Sequence, residues 1–487
     1  MEHQKSHLKE HMFQVEAIEE DRISQLPDHI LSIILSKLPL QDLVRTSALS
    51  NRWKHLWALR TNLNFDMDGI FGSNHGRPHF STKQCKHYKE VKLEFARCVD
   101  GFLQNFQGTK VISFKLHFLK HLGDTSNMNR WIRSVIGLGI EELQLVLSGM
   151  TFSYHHHCLL DDEYYIFPHW LLPHPSDSRL KHLHLRTCVL KPPADFIGFN
   201  KLITLRLHDV FLGDDFLASL FSNCLLLQGL VLKRCRHLSL LKVFSTSLQN
   251  LALIDCSDPS PVEVIAVNLT DFEYSGDLMK ITVIVAPCLV RLYFNFCSVH
   301  VTDMPDALSL CATFPTLQTL ILNLDPWKEK KIPQSVDSLR NLKQLELNYV
   351  MASDEEDLLW VLTYLNACPL LEKLDLTLSG AEFLENQREI RNICGCTYSR
   401  LKKVGINGFE GNWYEMELIT HILKSAISLD QVVISPLRSF YLGGDESTYK
   451  WFVSSLTPDE AWRESRQDSV RKSLQENTPA GVHLVVL

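Results

Sequence analysis

The sequence predicts an α/β chain: a small N-terminal block of helices, then a long, curved solenoid of repeated strand units with a distinct C-terminal segment. Three observations carry this expectation. A compact apolar block with helical spacing occupies Asp21 to Trp57. Beyond it, a short apolar text of the form LxxLxL recurs along most of the chain. The 487 residues, 45% hydrophobic and 22% charged, hold enough apolar material for a large core and imply several structural units.

Met1 to Glu20 alternates Lys, Glu, His and Gln, has no secretory pattern, and reads as a mobile tail. From Asp21 the texture changes. Ile30, Leu31, Ile34, Leu35 and Leu38 fall at helical spacing, with Pro27 expected at the first helical position, where its fixed φ suits the helix. Pro39 separates that helix from a second one carrying Leu43 and Val44. Ser50 suits the N-cap of a third, on which Trp53, Leu56 and Trp57 share a face. A unit this small is marginal alone, and its apolar surplus is expected to cover something else. Asp68 to about Lys86 is a loop by composition. Val91, Phe95, Val99, Phe102, Leu103 and Phe106 then make one stripe of a helix.

The repeats follow. LKHLHLRTC starts at Leu180, LITLRLHDV at Leu202, LQGLVLKRC at Leu227, LQNLALIDC at Leu248, LVRLYFNFC at Leu289, LQTLILNL at Leu317, LKQLELNYV at Leu342 and LEKLDLTL at Leu371. Weaker copies start at Val111, Ile140, Leu269, Leu401 and Leu429, and an insertion holding His155-His156-His157 is expected after the second. The period is that of leucine-rich repeats, in which each unit hides its leucines only by stacking on its neighbours. Cys188, Cys235, Cys256 and Cys297 sit at the small buried position after each strand and read as structural. Asp215–Leu226, Glu355–Ala367 and Met416–Ala426 read as helices on the convex side. The alternating end Pro479–Leu487 reads as a cap.

Within this pattern, DRISQLPDHILSIILSKLPLQDLVRTSALSNRWKHLW at Asp21–Trp57 resembles an F-box. The carriers are Leu26-Pro27, Ile30-Leu31, Ile34-Leu35, Leu38-Pro39 and the ending Arg52-Trp53 with Leu56-Trp57. The stretch from Leu185, with Cys188, Leu190, Pro192, Pro193, Phe196, Gly198 and Phe199, resembles plant F-box/FBD/leucine-rich-repeat proteins. Leu401–Pro436 is similar to an FBD region through its GFEG at Gly408–Gly411 and the amphipathic stretch after it. The expected division is a tail at 1–20, the F-box at 21–67, a linker and bridging helix at 68–106, the solenoid at 107–400, FBD-like terminal repeats at 401–440 and a cap at 441–487.

What the resemblance implies is a non-catalytic substrate-recognition subunit of an SCF-type (cullin–RING) ubiquitin ligase. The F-box would bind a SKP-family adaptor, and the repeats an unidentified target protein. The residues carried to the adaptor contact are Leu26, Pro27, Ile30, Leu31, Ile34, Leu38, Pro39, Val44, Trp53, Leu56 and Trp57, of which some belong to the module's own core. The alternatives are an F-box scaffold, or a small-molecule-sensing receptor, that does not itself direct degradation. On the strand face, His184, Arg186, Arg206, His208, Lys233 and Tyr293 are the candidate target contacts, the cations among them forming a local basic patch despite a net charge of −7.

Other chemistry is not expected. Phosphate-loop, dinucleotide, nucleophile-elbow and zinc-helix patterns do not occur in the sequence. His155-His156-His157-Cys158 and Cys394-Gly395-Cys396 lack a paired second half and read as loop. No cofactor or metal, no nucleic acid and no membrane partner is expected. With 13 cysteines and no export signal, reduced thiols in cytoplasm or nucleus are expected.

Overall fold

The computed structural model describes residues 23, 25–38, 40–46, 60–71, 85–119, 125–148, 164–213, 215–236, 238, 241–256, 261–276, 281–296, 310–323, 339–350, 358–378, 383, 388–391, 396–441, 443, 451–453, 462 and 466–487. The expected tail, the third F-box helix and the His155–Cys158 run lie outside these residues. The chain forms two compact units, Met1–Met150 and Thr151–Leu487.

The first unit begins with the helix Asp28–Lys37. Pro27 stands one residue earlier than expected, at the N-cap, with an extended ψ of 149°. Its carbonyl accepts the N–H of Ile30 and Leu31 at 3.0 and 3.1 Å, so the helix starts without needing a proline donor. Asp28 in the first turn and Lys37 in the last both complement the helix dipole. A second helix, Leu40–Arg45, follows, and Arg60 bonds the Leu38 carbonyl at 3.2 Å and the Asn62 carbonyl at 2.8 Å, tying the helices to strand β1 (Asn62–Phe65). Strands β2 (Ser113–Leu119) and β3 (Glu142–Ser148) continue β1 in parallel register. Helices Cys85–Asn105 and Thr125–Ile136 pack together, and Asp100 accepts from Arg130 Nη2 and Trp131 Nε1, both at 2.6 Å. Phe65, Phe95, Phe102, Phe114, Phe118 and Trp131 form the aromatic core; Phe65 meets Phe102 edge-on at 5.4 Å.

The second unit is a parallel ladder. Strands are β4 (Tyr165–Ile166), β5 (His182–Arg186), β6 (Cys188–Leu190), β7 (Thr204–His208), β8 (Phe211–Leu212), β9 (Gly229–Lys233), β10 (Leu241–Ser245), β11 (Asn250–Ile254), β12 (Val262–Ala266), β13 (Asp271–Gly276), β14 (Ile281–Val285), β15 (Arg291–Phe296), β16 (Thr319–Asn323), β17 (Gln344–Val350), β18 (Lys373–Leu378), β19 (Lys403–Asn407), β20 (Gln431–Ser435), β21 (Ser439–Tyr441), β22 (Trp451–Val453) and β23 (His483–Val486). The main sheet runs β5-β7-β9-β11-β13-β15-β16-β17-β18-β19-β20-β23. Register aligns the repeats residue for residue: Leu205 opposes Leu183 and Leu230, and Leu207 opposes Leu185 and Leu232. These inward leucines are buried, as strand alternation requires. Each copy that the sequence shows from Leu180 onward is one rung of this leucine-rich-repeat ladder, while those at Val111 and Ile140 form β2 and β3 of the first unit.

The strand ends repeat as faithfully. Thr187, Asp209, Arg234 and Asp255 all take φ between 50° and 58° and donate their N–H to the carbonyls of His208, Lys233, Ile254 and Ser275 on the next rung at 2.8–3.0 Å. After Thr187, Arg234 and Asp255 the next residue is a cysteine, buried at 188 and 235 and half-buried at 256. Cys235 Sγ donates to the Leu207 carbonyl at 3.4 Å and Cys256 Sγ to Leu232 at 3.5 Å, a structural use of both thiols.

Between rungs the chain is helical where length allows, at Phe216–Asn223, Val361–Ala367 and Trp413–Ser425. Phe216–Asn223 ends short of the expected Leu226, at Cys224; Val361–Ala367 ends where expected; Trp413–Ser425 begins three residues before the expected Met416, where Asn412 caps it. Where rung starts are closest, at Gly229, Asn250, Asp271 and Arg291, the linkers are extended instead and pair as the second sheet β10-β12-β14, which periodicity did not reveal. Beyond β20, the strands β21 and β22 pair antiparallel, a helix spans Gln467–Asn477, and β23 adds to β20 in parallel.

Candidate functional site

Two surfaces collect the residues that the sequence singled out. On the N-terminal helix Asp28–Lys37, Leu31 is 0% exposed and Leu35 is buried with it, four residues on and facing the same way. Leu31 therefore leaves the set of contact residues and joins the module's core, together with Leu43. The rest of the helix is more open, and there isoleucines stand exposed among the polar His29 and Lys37. Ile33 is 58% and Ile34 38% exposed, Ile23 and Pro27 are exposed as well, and Leu26, Ile30 and Leu38 are half-buried. Ile23 and Ile33 were missed in the sequence, although Ile33 completes the i, i+3, i+4 set with Ile30 and Ile34. The side chain of Val44, and all of Pro39, Trp53, Leu56 and Trp57, lie outside the described residues.

The second surface is the outward face of the ladder. Its rows follow from register: His184, Arg206 and Val231 are neighbours in one, and Arg186, His208 and Lys233 in the next. Neighbouring strands stand about 4.8 Å apart, so Arg206 is one strand from His184, and His208 is one strand from both Arg186 and Lys233. Two features correct the expected patch. Asp209 lies between Arg186 Nε at 3.7 Å and Arg234 Nε at 2.8 Å, so part of the charge is answered within the chain. His208 is buried, its ring edge-on to His184 at 4.9 Å, and is not an open contact.

Tyr293 is the larger correction: it is 1% exposed. The outward row through β9–β16 reads Val231, Ala252, Glu273, Tyr293, Ile321, apolar except for Glu273. Tyr441 of β21 lies on it, its ring edge-on to that of Tyr293 at 4.8 Å, making a buried cluster with Ala252, Ile254 and Ile321. Tyr441 donates its phenol hydrogen to the Glu273 carboxylate. Its carbonyl accepts from Asn323 Nδ2 at 3.0 Å and from the Tyr293 hydroxyl at 3.4 Å. Burial, then the neighbouring Glu273 carboxylate, raises the Tyr441 phenol above its ordinary range.

The polar chain continues sideways. Asn323 Nδ2 also meets the Tyr293 hydroxyl at 3.0 Å, and Asn348 Nδ2 donates to Asn323 Oδ1 at 2.9 Å and to Glu346 Oε1 at 2.8 Å. Burial pushes the Glu346 carboxyl up to about 7; the Asn348 amide opposes this, Asp375 adds to it and Lys373 opposes it.

The GFEG stretch is a structural device. Gly408 has φ 71° and the Leu378 carbonyl oxygen 2.5 Å from where a Cβ would stand, so only glycine fits. Glu415 Oε2 accepts the N–H of Glu410, Gly411 and Asn412 at 2.7–3.0 Å, fixing the start of the helix Trp413–Ser425. Among the described residues no group of three or more His, Cys, Asp and Glu can hold a metal, and no helix is long and apolar enough to cross a membrane.

An apolar-faced helical module and a parallel ladder with leucine at its inward positions define the class: an F-box protein built on leucine-rich repeats. Comparison agrees in detail. The F-box domain matches residues 23–63, and the family described as At1g61320/AtMIF1, LRR domain, matches residues 102–487. The chain belongs to that family. Among its relatives in Arabidopsis thaliana, it is 26% identical over 429 residues to F-box/FBD/LRR-repeat protein At1g13570, covering 85% of this chain and 91% of the relative. It is 23% identical over 434 residues to the putative FBD-associated F-box protein At1g61330, covering 84% and 90%. To the putative F-box/FBD/LRR-repeat protein At5g22670 it is 32% identical over 237 residues, covering 48% and 46%.

Proposed function

We propose that the chain is the substrate-recognition subunit of an SCF-type ubiquitin ligase. Its F-box docks on a SKP-family adaptor, and its repeat ladder holds a target protein for transfer of ubiquitin by other subunits. The observation that carries this reading is the first helix, with Leu31 and Leu35 sealed inside, Ile33 and Ile34 exposed and Ile30 half-buried. Exposed isoleucines in a row are costly to leave wet, at roughly 1.5–3 kcal/mol each when fully buried, and a protein partner recovers that. Leu26, Pro27 and Leu38 extend the same contact. Pro39, Val44, Trp53, Leu56 and Trp57 remain assigned to it by the F-box pattern.

Pull-down with purified SKP-family adaptor tests the reading. Ile33→Glu with Ile34→Glu is expected to abolish capture while circular dichroism stays unchanged; undiminished capture overturns it. On the ladder, the two neighbouring rows carrying His184 with Arg206 and Arg186 with Lys233 suit an acidic stretch of the target. Such a contact weakens with salt, because charges at this exposed surface are screened beyond about 8–10 Å. Arg206→Glu is expected to lower capture of an acidic target and to flatten its salt dependence.

A further inference from the structure

Solvent-facing positions of a repeat strand are ordinarily polar, yet Val231, Ala252, Tyr293 and Ile321 are not. What rests on them comes from 118 to 168 residues away in the sequence. The contacts are those by which a groove holds a foreign extended segment. One aromatic side chain is buried, with its hydroxyl donating to the Glu273 carboxylate. One backbone carbonyl, that of Tyr441, is held by two side-chain donors, Asn323 and Tyr293. Two residues on, Gly443 (φ 72°) presses its backbone so close that a Cβ would stand 2.7 Å from Tyr293 Cε1 and 3.3 Å from Ile254 Cδ1. The ladder needs none of this for its own core, which the inward leucines already fill.

We propose that the outward face of β11–β16 is a recognition site for a peptide carrying tyrosine and, two residues on, glycine, and that Tyr441 and Gly443 occupy it in cis as a substitute ligand. This rests on the strand face being the target-binding surface and names the class of target. The site takes an unmodified tyrosine. Glu273 accepts the phenol hydrogen, whereas a phosphate there would meet a carboxylate and be repelled. A target must displace the chain's own segment, so its apparent affinity is its intrinsic affinity scaled by the open fraction.

The test uses a fluorescein-labelled peptide spanning Pro436–Glu446, titrated by anisotropy into the full chain, into Tyr441→Ala and into Gly443→Ala. The two variants open the face by different routes, one by removing the anchor and one by forcing the backbone away. Both are expected to bind the peptide about tenfold or more tightly than the unaltered chain does. A phosphotyrosine or Tyr→Phe version of the peptide is expected to lose about tenfold, and Asn323→Ala added to either variant likewise. Absence of binding to folded variants, or equal binding to the unaltered chain, overturns the proposal. If neither variant folds, hydrogen exchange on the unaltered chain decides. Excess peptide is expected to speed exchange at the amides of 439–443, and unchanged exchange overturns the proposal. Adaptor capture, measured in parallel, is independent of this face. Loss of peptide binding with capture retained leaves the receptor reading standing; loss of capture with peptide bound removes that reading and leaves the site.

Discussion

Burial of Glu346 changes what its carboxyl does with pH. Its ordinary value of 4.5 is raised to about 7 in the fold, so the folded chain holds a proton that the unfolded chain has lost. The stability this residue contributes is complete below about 4.5 and drains away as pH rises through about 7, on the order of 3 kcal/mol across the window. Glu415, raised to about 7 chiefly by burial, has the same sign. Glu346→Gln keeps the acceptor for Asn348 and removes the charge. It is expected to raise the urea midpoint at pH 8 relative to the unaltered chain, with little difference at pH 5, and to remove part of the slope between them. At the F-box the contrast is one of position on a single helix. Leu31→Ala is expected to cost about 2–5 kcal/mol and melt the module. Ile33→Ala, on the open side, is expected to leave its melting temperature within a degree or two and weaken only adaptor capture.

At the scale of elements, the helix Trp413–Ser425 depends on one carboxylate that gathers three N–H groups. Glu415→Ala leaves those of Glu410, Gly411 and Asn412 without that acceptor and is expected to lower stability by about 1–3 kcal/mol, read as a fall in melting temperature. Elements of this kind were legible where their cause is local. LxxLxL writes strand alternation and burial into six residues, so β5, β7, β9, β11 and β15–β20 could be placed before any coordinates. The sheet β10-β12-β14 was not legible, because its extended shape is forced by how little chain separates the rungs and not by a pattern of its own. Nor was β21. Ser439-Phe440-Tyr441 has no period, and its partners stand in distant repeats. The signal that could have found it lay elsewhere, in the run of apolar residues at outward positions 231, 252, 293 and 321. The F-box pattern located the module but could not separate Leu31 from Ile34, since both are apolar and only the helix's orientation tells the buried side chain from the exposed one.

For the whole molecule, a ladder of repeats is close to one-dimensional: each rung touches its neighbours and little else. Tyr441 breaks that rule by reaching from beyond β20 to β13, β15 and β16. Rungs that would otherwise fray one after another from the C-terminal end are thereby clasped to the middle of the array. Tyr441→Ala is accordingly expected to broaden urea unfolding of this unit, with a smaller m-value, in addition to shifting its midpoint. The same clasp delays folding. Neighbouring rungs zip quickly because their loops are short, whereas a contact spanning more than a hundred residues forms only after the rungs between exist to receive it. A nascent chain would therefore pass through a stage in which the ladder is built and its greasy outward row is bare, and in that interval a chaperone or a passing peptide has first access to the face.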